Sequence, residues 1–80
     1  MYYVYIIKSI NYPDKIYIGY TLHVHERIKK HNEHGSVYTK NWCPWILIFY
    51  CSFNDKLKAL AFEKYLKSHS GRAFIQKRIV

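Results

Sequence analysis

Eighty residues, with thirteen Lys and Arg against five Asp and Glu and a formal net charge of +8, make one small, strongly basic domain over 1–80. A chain of this size buries only about 60–65% of the surface its unfolded form exposes, so the core must be dense and there is no room for a second module. The charge predicts a polyanionic partner, nucleic acid ahead of an acidic protein or a membrane surface. No apolar run approaches the ~18 residues of a membrane span.

Tyr2 to Lys8 and Lys15 to Thr21 are β-prone runs rich in Tyr and Ile, and the Tyr12-Pro13-Asp14 turn between them predicts an antiparallel hairpin. Side chains alternate along a strand, so Tyr3, Tyr5 and Ile7 share a face with Tyr17 and Gly19, while Val4, Ile6, Ile16 and Ile18 make the opposite, core-facing side. A glycine among phenols predicts open space above the sheet, a floor lined by hydroxyls that can admit a ligand. The amino terminus lacks a basic leader, so it reads as a strand and not a signal peptide.

Thr21 is placed to cap a helix from Leu22 to about Asn32 that ends at Gly35, with Val24 and Ile28 as its buried stripe. Arg27 and His31 lie four residues apart on one face of that helix, a fixed positive charge beside a titratable ring. Spacing alone also allows an Arg27 paired with a surface carboxylate and a His31 that partly covers the core. His34 to Asn41 is a polar connection with no predicted regular structure. Trp45 to Phe53 is a continuous apolar run, which predicts a strand covered on both faces. Trp45 reads as core, and Trp42 stands between packing and base stacking. Cys43 and Cys51 lack metal-ligand spacing and read as reduced structural thiols, which with the rest predicts a cytoplasmic protein.

Asn54 or Asp55 caps a second helix running to about Ser68, with Gly71 as its stop and a last short helix from Arg72 to Ile79. Ala59, Ala61, Phe62, Tyr65 and Leu66 form its inward arc. Glu63, at the edge of that arc, is either the partner of Lys67 in an ordinary i,i+4 pair worth about 0.3–0.5 kcal/mol or a carboxylate turned toward the tyrosine surface. It is the one acid in the carboxy-terminal helices. A lone carboxylate suits a single hard cation such as Mg²⁺, which keeps much of its water shell. The predicted fold is α/β (α+β): a three-stranded antiparallel sheet, first strand central, flanked by helices.

The triplets Tyr3-Val4-Tyr5 and Tyr17-Ile18-Gly19, followed in order by Arg27, His31, Pro44-Trp45 and Glu63, resemble the hallmark of the GIY-YIG endonuclease family over essentially the whole chain. The likeness is strongest to its small stand-alone bacterial members, and it extends to the amino-terminal incision domain of the repair nucleases that cut beside DNA lesions. The resemblance implies a DNA endonuclease. Phosphodiester hydrolysis needs a deprotonated water, positive charge on the phosphoryl oxygens and help for the leaving alkoxide. Tyr5 or Tyr17, its phenol acidified by Arg27 and nearby Lys, is the expected general base. Arg27 would hold the scissile phosphate, His31 would be a hydrogen-bonding or proton-transfer partner, and Glu63 would bind one Mg²⁺ or Mn²⁺ ion. Gly19, Lys15, Lys40, Trp42 and Arg72 are the expected nucleic-acid contacts. Without a reading head, selectivity would rest on DNA shape, which favours branched, flapped or single-stranded substrates.

Two positions depart from the pattern. Some members carry Lys directly after the second triplet, where this chain has Tyr20, leaving Lys15 or Lys40 to supply that charge. Many carry Asn about a dozen residues beyond the Glu, where this chain has Ile75 beside Gln76. The alternative to a nuclease is therefore a catalytically silent nucleic-acid binding module of the same fold. Zinc is a poor fit: His23, His25, His31 and His34 offer imidazoles, but the cysteines do not complete a tetrahedral set.

Overall fold

A computed structural model describes residues 1–79. Its elements are β1 (Tyr2–Ser9), β2 (Ile16–Thr21), α1 (Val24–Asn32), a 3-10 turn (Lys40–Trp42), β3 (Trp45–Phe53), α2 (Lys56–Lys67) and α3 (His69–Arg78). The three strands form one antiparallel sheet in the order β2-β1-β3, with the expected central first strand. Among the described residues no helix is long and apolar enough to cross a membrane.

Period-two alternation separates two cores. Val4, Ile6 and Ile18 pack against Ala59 and Leu66 of α2 and Ile75 of α3. On the opposite face Tyr5, Ile7 and Trp45 pack with Tyr17, Ile28, Trp42 and Leu47, under α1 and the segment that precedes β3. The sheet is thus the middle of three layers, each face closed by a different part of the chain.

Several local expectations are corrected. β3 is an edge strand and is not covered on both faces: Ile46 and Tyr50 are each about half exposed. Its alternation also breaks, because Ile6 pairs with Phe49 but Ile7 pairs with Leu47. Ile48 is the extra residue of that bulge, and it joins Phe49 against the same core. The first turn of α1 starts later than expected, since the Thr21 hydroxyl accepts the His23 N–H (3.1 Å) in a local turn instead of capping a helix. Past its end, His34 and not Gly35 takes the left-handed conformation (φ 62°), while the Gly35 N–H bonds the Lys30 carbonyl at 2.8 Å. Ala61 and Tyr65 of α2 are exposed, not inward.

Asp55 is the N-cap of α2, its carboxylate accepting the Leu57 N–H at 2.8 Å. Gly71 does not stop α2. Ser68 ends that helix and begins α3, its side chain accepting the Gly71 N–H, and Gly71 sits inside the first turn of α3 against the Tyr65 carbonyl and the Leu66 backbone.

Candidate active site and nucleic-acid interface

The site is built on the face that carries Tyr5 and Tyr17. Antiparallel register sets Tyr5 opposite Gly19, and the phenol of Tyr5 lies over the glycine so closely that a Cβ there would collide with its Cζ and hydroxyl. The open floor expected above Gly19 is therefore filled, and by Tyr5 itself. Gly19 is buried and serves close approach of a neighbouring side chain, not of a ligand.

Tyr5 is only 1% exposed. Its hydroxyl lies 2.9 Å from His31 Nε2, and His31 Nδ1 lies 2.7 Å from Thr39 Oγ1. This chain of contacts joins β1, α1 and the loop before β3. A neutral imidazole donates from one nitrogen and accepts at the other, and both hydroxyls can take either part. His31 is itself 1% exposed; burial, then the charges of Arg27 and Lys30, push its pKa down from 6.5 and favour the neutral ring.

The same burial corrects the expectation for Tyr5. Desolvation, reinforced by Tyr17, pushes its phenol well above the ordinary value of 10, outweighing the opposite pull of Arg27. Glu63 adds to the rise. Tyr5 is thus a buried phenol whose surroundings oppose its ionisation, and the more exposed tyrosine of the pair is Tyr17. The Tyr17 ring is half-buried, with its centroid 5.1 Å from that of His31 and 6.4 Å from that of Tyr5.

Arg27 is exposed. Glu63 is 19% exposed and meets Lys67 at 3.2 Å. Arg27 lies on α1 and Glu63 on α2, helices that cover opposite faces of the sheet. Among the described residues no group of three or more His, Cys, Asp and Glu could hold a metal. An ion here would rest on the Glu63 carboxylate alone, and that donor set fits Mg²⁺, which takes its remaining ligands from water and phosphate oxygens.

The expected nucleic-acid contacts divide. Trp42 is half-buried, with Tyr12 edge-on at 5.1 Å and the Lys15 ammonium 5.0 Å above its ring. Arg72 joins Tyr17 and Lys67 around a cavity of about 370 Å³. Lys40 is exposed in the 3-10 turn and lines neither this cavity nor the one beside Trp42. Trp45 is core: its indole N–H donates to the Thr39 carbonyl at 3.0 Å, and Asn32 brackets its backbone, accepting its N–H at 2.6 Å and donating to its carbonyl at 3.1 Å.

Thr39 was not legible as a site residue. Its only sequence signal is a hydroxyl in a polar loop, yet it is 0% exposed and holds His31. The two departures from the family pattern lie in the core between the sheet, α2 and α3. Tyr20 packs toward the other core, stacked on Tyr2 at 6.4 Å, and Ile75 is wholly buried.

Residues 1–78 match the model of the GIY-YIG catalytic domain. A UPF0213 protein of Staphylococcus haemolyticus, SH2523, is 38% identical over 69 residues, covering 85% of this chain and 82% of its own length. The structure-specific endonuclease subunit SLX1 of Malassezia globosa is 34% identical over 77 residues, 90% of this chain but 17% of that protein. Among solved structures, the solution NMR structure of the UPF0213 protein BH0048 from Bacillus halodurans superposes with a TM-score of 0.56 at 32% identity, covering 96% of this chain and 84% of the other.

Proposed function

Because the chain belongs to the GIY-YIG catalytic-domain family, a nuclease family, we propose that it is a metal-dependent DNA endonuclease, structure-selective or weakly sequence-specific. The observation that carries this reading is the tyrosine pair itself: Tyr5 and Tyr17 with ring centroids 6.4 Å apart, Tyr5 held at 2.9 Å by His31 of the helix that also bears Arg27. Arg27 holds the scissile phosphate and offsets the charge that grows on its oxygens. Tyr17, the surface phenol, takes the proton of the attacking water. Tyr5 and His31 are positioning residues: their hydrogen bond fixes the ring on which Tyr17 leans. Glu63 would hold Mg²⁺ or Mn²⁺, an ion that would supply Lewis-acid charge to a phosphoryl oxygen. The two free thiols, Cys43 and Cys51, support a reducing, cytoplasmic setting.

The Lys67 contact favours a second reading. With its carboxylate already met by an ammonium at 3.2 Å, Glu63 has a counter-ion without any metal, which suits a silent binding module. Cleavage of labelled duplex, single-stranded, flapped and branched DNA with Mg²⁺, Mn²⁺ or EDTA separates the two. A nuclease cuts only with metal, and Arg27→Ala, Tyr17→Phe and Glu63→Gln each lower the rate by about 100-fold or more while remaining folded. Cutting that survives Glu63→Gln sinks the site as drawn, and binding without cutting under any ion establishes the silent module.

A further inference from the structure

Tyr38, beside Tyr17, is 78% open to solvent, more than any other large aromatic residue among those described. Its ring centroid is 5.9 Å from that of Tyr17. Two cavities meet at this pair. One, of about 370 Å³, runs from Tyr17 and Tyr38 to Lys67 and Arg72. The other, of about 320 Å³, runs from the same two tyrosines to Lys15 and Trp42. Together they make a furrow along the outer edge of β2, cationic at both ends with an aromatic ring standing in the middle. Each cavity is of the size, roughly 300–1,000 Å³, that takes a small ligand.

From this arrangement we infer that the furrow is a track for an unpaired DNA strand adjoining the scissile phosphate, with Tyr38 stacking on a base and Arg72 and Lys15 meeting the phosphates on either side; the inference rests on the nuclease reading and names its substrate class. The choice of an unpaired strand follows from the ring. A base inside a duplex has both faces covered by its neighbours, whereas a splayed base offers a face that any aromatic side chain accepts regardless of sequence. A surface for duplex alone would need the cations but not an exposed ring between them. Thr39, the next residue, is anchored through His31, so the backbone that carries Tyr38 is tied to the buried network of the site.

The test is fluorescence anisotropy with a fluorescein-labelled oligothymidylate and a labelled duplex of mixed sequence, in EDTA so that nothing is cut. Tyr38→Ala, a surface change that leaves the fold intact by circular dichroism, should weaken oligothymidylate binding by about 5- to 150-fold and leave the duplex unaffected. Tyr38→Phe keeps the aromatic face and should bind like wild type. Arg72→Ala should flatten the dependence of log K on log salt for the single strand by about 0.7. Equal losses on both DNAs, or no loss with Tyr38→Ala, overturn the track. Flap cutting combined with Tyr38-independent binding overturns this inference alone, Tyr38-dependent binding without cutting under any ion overturns the nuclease reading alone, and no affinity for any DNA overturns both.

Discussion

Replacing Gly19 by Ala changes one methyl group, and its effect has opposite signs on the two ways of reading the tyrosine face. Over open space the substitution stabilises, because Gly in a strand is disfavoured by roughly 0.5–1 kcal/mol against Ala. In the structure the new Cβ runs into the Tyr5 ring, whose Cε1 would lie 2.8 Å away with Cζ and the hydroxyl closer still. That ring has nowhere to go: it is 1% exposed and held at 2.9 Å by His31. Overpacking of this kind costs about 1–3 kcal/mol, and a displaced phenol that loses His31 adds about 1–3 kcal/mol for buried groups left unpaired. After subtraction of the strand preference, a net loss of roughly 1–5.5 kcal/mol is expected, at about 4–8 °C of Tm for each kcal/mol in a domain of this size. Thermal unfolding followed by far-UV circular dichroism reads this directly. The same change made in a Tyr5→Leu background should be neutral or stabilising, since the phenol is gone. A stabilised Gly19→Ala protein, or an equal loss in both backgrounds, would refute the reasoning.

His31 predicts a pH dependence. Its pKa is lowered in the folded state from 6.5, so the unfolded chain binds the proton first. Its contribution to stability is full above 6.5 and is lost as pH falls from there toward the folded value. Urea unfolding at stepped pH should show this acid-side decline, and His31→Gln should flatten it. Gly71→Ala drives a Cβ into the backbone of Tyr65 and Leu66, atoms that cannot rotate away, so a loss of about 2 kcal/mol or more is expected; a change in Tm indistinguishable from zero would show that α3 can shift on α2. Asp55→Ala removes the cap on α2 and should cost about 1 kcal/mol in the same melt.

The faces of β1 and β2 were legible because alternation needs only the pleat, and the central place of β1 followed from its being apolar on both sides. What failed was inference about how closely neighbours approach. Gly19 and Gly71 were read as space and as a helix stop, yet each is small because another part of the chain crosses it, and such crossings depend on register and helix packing that no local window contains. β3 was misread for a related reason: an apolar run looks the same on an edge as in the middle of a sheet, and its bulge hides which residues share a face. Tyr5 and Tyr17 carried equal weight as phenols in the sequence. Only burial distinguishes them, pressing one under α1 and leaving the other at the outer strand.

That distinction also explains why so small a domain keeps a polar chain in its core. Tyr5, His31 and Thr39 are all but fully buried, and every buried side-chain nitrogen and oxygen among the described residues has a partner. An apolar trio would pack at lower desolvation cost, but it would have no directional hold on the loop between α1 and β3. Here the His31 ring reaches Thr39, the Thr39 carbonyl takes the N–H groups of Trp42 and of the Trp45 indole, and Ser9 donates to the Trp42 carbonyl at 2.6 Å. The loop is thereby pinned to the sheet immediately after Tyr38, with the rings of Tyr38 and Trp42 beside Tyr17. The buried network and the exposed furrow are thus connected: a buried histidine orders the loop that carries the surface proposed as the strand's track.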